Sequence, residues 1–216
     1  MKNIYYLLLI PFVISCSVLF PDGVSVKFPD FSYNYQTFNK KLDYSDKEYL
    51  LNVTQFGESN YNNSSNLDMV VQFFKKKLNN YVTLKMNFKD TNGKLLIPFN
   101  INYDISKDHL KFLNESTNLN FIILSKIVYL KDIQNKSLTN VHKKRMYYSK
   151  AGAISFIKIV DVKNGEIVLE MNCTGSISNK EDKDIFSGEV QHKLNFHKNS
   201  YSLGEKTMKK LLNKIK

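Results

Sequence analysis

Side chains with reactive chemistry are few in this chain, and their spacing decides what each could do. There are two cysteines and four histidines in 216 residues. Cys16 follows Val13-Ile14-Ser15, where a small serine leaves the backbone open to a peptidase and the thiol is free to be modified. Cys173 falls in an alternating apolar stretch and reads as a small core residue rather than a reactive thiol. His192 and His197 are five apart, so a strand would put them on opposite faces, and His109 and His142 stand alone. Surface histidines are the expected reading, with no metal site. Asp161 and Glu166 flank a turn, and Glu181, Asp182 and Asp184 share a charged segment. Turns collect carboxylates for solvation and backbone hydrogen bonds, so no catalytic pair is expected there. A glycine-rich phosphate loop, a Gly-x-Ser-x-Gly elbow and a His-Glu-x-x-His pair are all missing from the sequence. The expectation is no enzyme, no catalytic residue and no cofactor.

The residues ahead of Cys16 give that thiol a context. Lys2 supplies a short positive region, and Ile4 to Ile14 is an apolar run too short to span a bilayer as a helix. Val13-Ile14-Ser15-Cys16 resembles the lipobox of bacterial lipoproteins. The resemblance implies cleavage between Ser15 and Cys16, a thioether-linked diacylglycerol and an N-acyl lipid on Cys16, and a lipid-anchored place in the cell envelope, the outer membrane foremost. Cys173 is then left alone and no intrachain disulfide is expected. An ordinary signal peptide, with Cys16 free to pair with Cys173, is the rival.

The net charge of +11 raises nucleic acid or an anionic membrane as partners. The basic residues are all lysine except Arg145, whereas grips on phosphate and base edges favour the planar fork of arginine. With Asn, Ile, Tyr and Phe also abundant, the lysines read as composition spread over a solvated surface. No nucleic-acid partner is expected.

The elements that would carry these residues follow from period and punctuation. Three segments are expected: 1–15 as signal peptide, 16–47 as lipidated N-terminus and tether, and 48–216 as one α/β (α+β) domain, a single mixed sheet with helices packed on it. The aromatic content of the tether predicts that part of it packs on the domain. Glu48 to Phe56 reads as a strand. Ser65 to Asn79 reads as an amphipathic helix capped by Ser65, with Lys75 to Lys77 at its negative end. Asn92-Gly93 predicts a two-residue hairpin that pairs Leu84, Met86 and Phe88 with Ile101, Phe99 and Ile97 on one face. Ser106 caps a short helix to Asn118. Phe121 to Tyr129 is a near-continuous apolar run, as a central strand covered on both faces would be. Asn164-Gly165 predicts a second hairpin, Ala151 to Ile177, pairing Val160 with Leu169, Lys158 with Met171 and Phe156 with Cys173; only Lys158 breaks that face. Glu189 to Phe196 reads as a strand, and Leu203 to Ile215 as a basic amphipathic helix with Gly204 weakening its start.

Two of these segments carry a wider likeness. Asn118 to Leu130, NLNFIILSKIVYL, and Ala153 to Ser178, AISFIKIVDVKNGEIVLEMNCTGSIS, resemble stretches of envelope lipoproteins of the curli-secretion and penicillin-binding-protein-activator type, and of the N-terminal domain of the Tol-system propeller protein. Ser125 stands where those proteins have a glycine. The resemblance implies a non-enzymatic binding or assembly module for other envelope components. It also raises a secretion-pore subunit, which would need two membrane-crossing hairpins; residues 82 to 103 could give one, and 131 to 150 are too polar for a second. An envelope hydrolase or small-ligand carrier is the third reading. The basic and aromatic segment 131–150, with Lys136, His142, Lys143, Lys144, Arg145, Tyr147 and Tyr148, is the expected partner-binding surface, against the plain alternative of a solvated loop.

Overall fold

A computed structural model describes residues 29–37, 47–57, 64–129, 149–178 and 200–215. They form one mixed sheet of seven strands with three helices packed on it, an α+β fold. The strands are β1 (Asp30–Thr37), β2 (Tyr49–Leu51), β3 (Gln55–Phe56), β4 (Val82–Leu84), β5 (Phe121–Tyr129), β6 (Ser149–Asp161) and β7 (Ile167–Ser178). The helices are α1 (Ser64–Leu78), α2 (Lys107–Ser116) and α3 (Ser200–Leu212). The spatial order is β1-β7-β6-β5-β2-β4, with β3 continuing beside β5. Neighbours from β1 to β5 run antiparallel, and β5, β2 and β4 run parallel.

The central place of β5 follows from its composition. Strand residues alternate between faces, so an unbroken apolar run needs cover on both. Ile123, Ile127 and Tyr129 meet one core with α1 and α3, while Ile122 and Leu124 meet a second core beneath α2. The helices supply matching stripes. Val70, Phe74 and Leu78 of α1, and Leu203, Met208, Leu211 and Leu212 of α3, belong to the first core. Leu110 and Leu113 of α2 belong to the second. Ser106 caps α2 by accepting from the His109 N–H at 3.2 Å. Helix α1 begins at Ser64, one residue ahead of the expected cap.

Several expectations give way. The packing expected of part of the 16–47 segment takes the form of an edge strand: β1 pairs with β7, and Phe31 and Tyr33 pack against the first core. The strand expected over 48–56 is broken at 52–54. The Asn52 N–H still donates to the Ile123 carbonyl of β5 at 3.1 Å while its side chain donates to the Ile101 carbonyl at 2.8 Å, and Thr54 bonds Ser125 through their hydroxyls at 2.7 Å. The hydroxyl of Ser125 is thus used by β5 to hold that break in place.

The hairpin expected over 82–103 does not form in the expected register. Strand β4 stops at Leu84 and lies parallel to β2, and a 3₁₀ turn follows over Lys85–Asn87. The return makes one isolated bridge, Lys89 to Leu95. Asp90 accepts from the N–H groups of Asn92 and Lys94 at 2.9 and 2.8 Å, which closes a three-residue loop ending in Gly93 at φ +79. That extra residue shifts the register by one, and Pro98 has no N–H for a longer ladder. Met86 is exposed, while Phe88 and Phe99 lie against the second core.

The hairpin expected over 151–177 does form, slipped by one. Ile159 faces Leu169, Ile157 faces Met171 and Ser155 faces Cys173. Asp161 is the cause: its carboxylate accepts from the Lys163 and Asn164 N–H groups at 2.8 and 3.0 Å and lengthens the loop. A one-residue slip exchanges faces on one strand. Leu169, Met171 and Cys173 therefore share the first core with Ile157 and Ile159, while Phe156 and Val160, expected among them, join the second.

Gly204 lies within α3 at a close approach to the sheet. A Cβ there would sit 2.9 Å from the Tyr129 ring and 3.1 Å from Ile127, and one on Gly175 would sit 2.8 Å from Thr207. The two glycines let helix and sheet approach closely. The Ser155 and Thr207 hydroxyls, 2.7 Å apart beneath α3, both reach the Gly204 carbonyl.

Candidate functional site

Two arrangements of polar groups stand out among the described residues. The first is internal. Lys158, the residue that breaks the hairpin's apolar pattern, projects from β6 into the second core, where its side chain is 10% exposed. A lysine there must be paired. Its Nζ lies 3.3 Å from Glu170 on β7, 3.5 Å from Asp104, and 4.3 Å from the centre of the Tyr103 ring. The Tyr103 hydroxyl donates to the same Glu170 oxygen at 3.1 Å. Burial, then Glu170 and Asp104, push the Tyr103 hydroxyl far above the usual phenol range. The Tyr103 N–H donates to Gln55 at 2.8 Å, and Gln55 and Asn52 both donate to the Ile101 carbonyl. Every charge in this set is answered by a neighbour. It pins residues 101–104 onto the sheet and works as a structural lock.

The second is a surface cleft of about 600 Å³ where α2 ends. Phe88, Leu96 and Leu119 give it apolar lining, and Glu48, Asn114, Glu115, Ser116, Thr117 and Asn118 give it polar lining. Its wall is fixed by backbone bonds. The Glu48 carbonyl accepts from Asn120 and Phe121, and its N–H donates to the Asn120 side chain at 2.8 Å. Thr117 closes α2 by donating to the Leu113 carbonyl. Leu96 is held by donating its N–H to the Phe88 carbonyl at 3.0 Å. Leu95 and Leu96 are 43% and 37% exposed.

The electrostatics of the cleft run against the rest of the chain. A helix C-terminus carries partial negative charge and is usually met by a cation. The last turn of α2 has no basic residue and carries Glu115 instead. Lys111, one turn back, is 3.9 Å from Glu115 with both side chains mostly exposed, a pair of little strength. Glu48 adds a second carboxylate.

The residues singled out in the sequence are distributed differently. Ser15, Cys16, His142, Lys143, Lys144, Arg145, Tyr147, Tyr148, His192 and His197 lie outside the described residues, as do Glu181, Asp182, Asp184 and the 189–196 segment. Cys173 is buried, as expected, and burial pushes its thiol up to about 12, against smaller opposing effects of Lys210 and Tyr33. His109 stacks on Phe99 at 4.2 Å between ring centres. The Asp161 carboxylate is occupied by its own loop, and its N–H donates to the Glu166 carbonyl at 2.9 Å. Among the described residues no group of three His, Cys, Asp or Glu could hold a metal, and no helix is long and apolar enough to cross a membrane. Sequence reasoning missed the cleft because its walls come from residues 48, 88–96 and 114–119, which no local pattern connects. The lock had one signal, Lys158 on an otherwise apolar face.

No protein-family model matches this sequence, and no curated protein sequence matches it. Solved structures give distant likenesses. A PelC dodecamer from Paraburkholderia phytofirmans is 11% identical, with 86% of this chain and 97% of that chain covered and a TM-score of 0.42. The lipoprotein GNA1162 from Neisseria meningitidis is 12% identical over 62% of this chain and 88% of that one, with a TM-score of 0.34. The hypothetical protein CT253 from Chlamydia trachomatis is 9% identical over 78% and 98%, with a TM-score of 0.32.

Proposed function

We propose that this chain is a lipid-anchored protein of the cell envelope, seated on the outer membrane, that binds or assembles with other envelope proteins and performs no catalysis. The observation that carries the reading is the run Val13-Ile14-Ser15-Cys16 closing the apolar segment Ile4 to Ile14. Diacylglycerol and an N-acyl chain on Cys16 give two hydrophobic chains, and stable anchoring takes two such signals, at about 0.8 kcal/mol per buried methylene. The domain then serves as a rigid scaffold, its β5 clamped between two cores, that presents surfaces to a partner. Metal, cofactor and nucleic acid have no part in this reading. The pore alternative loses ground, because residues 82–103 build a three-residue strand and a single bridge in place of a long hairpin.

Replacement of Cys16 by Ala tests the anchor. The variant should accumulate unprocessed or leave the membrane fraction, and the lipid mass should vanish from the N-terminal peptide. Unchanged mass and detergent partitioning would sink the assignment. The segment holding Lys143, Lys144, Arg145, Tyr147 and Tyr148 is proposed as one partner contact. Its combined change K143S/K144S/R145S should leave the melting temperature in place and lower recovery of crosslinked envelope proteins, most at low salt.

A further inference from the structure

We infer that the cleft at the end of α2 is a docking site for a basic, apolar-flanked peptide segment of a protein partner. This rests on the binding-module reading and supplies the chemistry of its ligand. The local charge is the first argument. In a chain of net +11, the cleft presents Glu48 and Glu115, and the negative end of α2 points its last carbonyls the same way. Glu115 is unfavourable beside that end, and a bound lysine or arginine would be attracted by the carboxylate and by the helix end alike. The lining is the second argument. Phe88, Leu96 and Leu119 form an apolar floor. A simple cation has no use for such a floor, whereas the methylene stem of lysine, or a neighbouring leucine or aromatic ring, would cover it while the charge reaches the carboxylates. The volume is the third. At about 600 Å³ the cleft has room for two or three side chains, and the Lys89–Leu95 bridge that carries Leu96 makes one wall a short bend that can adjust around them.

The cleft also gives one of two exposed leucines a use. Leu95 and Leu96 sit on the return arm of a bend that fails to become a hairpin, a place where polar residues would serve an unoccupied surface better. One of them lines the cleft, beside Phe88.

The test is a fluorescence-anisotropy titration of the full chain with two labelled hexapeptides, Lys-Leu-Lys-Tyr-Lys-Leu and its charge reversal Glu-Leu-Glu-Tyr-Glu-Leu. The lysine peptide should bind, and the glutamate peptide should bind at least tenfold more weakly, although the chain as a whole is strongly basic. The double change E48Q/E115Q should weaken the lysine peptide about tenfold, and Leu96→Ser should weaken it severalfold, with the melting temperature unchanged in each because the altered side chains are exposed. The D30N/D68N pair, exposed on β1 and α1 away from α2, should change nothing. Raising salt should weaken the wild-type complex. Tighter binding of the glutamate peptide, insensitivity to E48Q/E115Q, or equal affinity for spermine would each overturn the inference, the last because it removes any role for the apolar floor. The Cys16→Ala chain should bind the lysine peptide like the wild type, so a failed anchor and a failed cleft give different results.

Discussion

Two Asn-Gly turns in this chain start from nearly the same local chemistry and end in opposite structures. Each is preceded by an aspartate whose carboxylate accepts two backbone N–H groups of its own loop, Asp90 before Asn92-Gly93 and Asp161 before Asn164-Gly165. Each glycine has positive φ, +79 and +69. The second turn joins strands of 13 and 12 residues, and the first closes on one bridge. The difference lies in what covers the arms. Strands β6 and β7 have apolar residues on the face met by α3, and β1 extends the ladder beyond them. The arms around Gly93 have a core on one side only and reach Pro98 within five residues. Turn chemistry permits a hairpin, and burial of the strands decides whether it is built.

The largest test of this contrast is truncation of one apolar side chain in each arm. Met171→Ala in β7, where the side chain is 1% exposed, should cost about 2–5 kcal/mol in denaturant unfolding. Leu95→Ala, at 43% exposure, should stay within about 0.5 kcal/mol. Similar costs would mean that the bend around Gly93 packs more tightly than described.

Titration of Cys173 gives a second test, confined to the long hairpin. Its thiol is pushed up to about 12 in the fold from an ordinary 9.0. Below pH 9 both folded and unfolded chains hold the proton, so this group leaves stability unchanged. Above pH 9 the unfolded chain loses it first, and stability should fall by about 1.4 kcal/mol per pH unit until the folded thiol ionises. Cys173→Ala should remove that component of the alkaline slope. Labelling sharpens the contrast: at neutral pH a disulfide reagent should modify Cys173 only on denaturation, while Leu95→Cys should react at once in the native protein.

Smaller effects separate the turns themselves. Gly165→Ala and Gly93→Ala both force a side chain into left-handed backbone, worth about 1–2 kcal/mol locally. The first should lower the melting temperature, because its hairpin unfolds with the whole domain. The second should show mainly as faster amide exchange over 89–95, because the bend can open alone. Asp161→Ala should cost about 1 kcal/mol through its lost backbone bonds, and Asp90→Ala less.

The long periodic elements were legible in the sequence. The stripe Leu203, Met208, Leu211, Leu212 has no reading other than a helix, and the unbroken run from Phe121 has none other than a buried strand. Both hairpin registers failed for one reason, a carboxylate that counts as part of the turn, which apolar alternation does not reveal. Strand β1 had a signal, Phe31, Tyr33 and Tyr35 at every second residue, hidden by the prolines and glycine before it. The lock was half visible, since Lys158 announced a buried charge but Glu170 and Tyr103 were not identifiable as its partners. The cleft was invisible, because its parts meet only through tertiary packing.

The seat of α3 has a consequence for the order in which this protein can be made. Every described strand precedes α3 in the chain. During synthesis the sheet can pair before its cover exists, leaving Ala153, Ile157, Met171 and Cys173 bare on one face. Only when residues 200–215 emerge can the helix land, with its Gly204 against Tyr129 and Ile127 and its Thr207 against Gly175, which leaves little room for error along its axis. Until then the paired sheet keeps one apolar face bare, the kind of nascent chain that holding chaperones capture. Docking of α3 is the step that covers this face of the sheet.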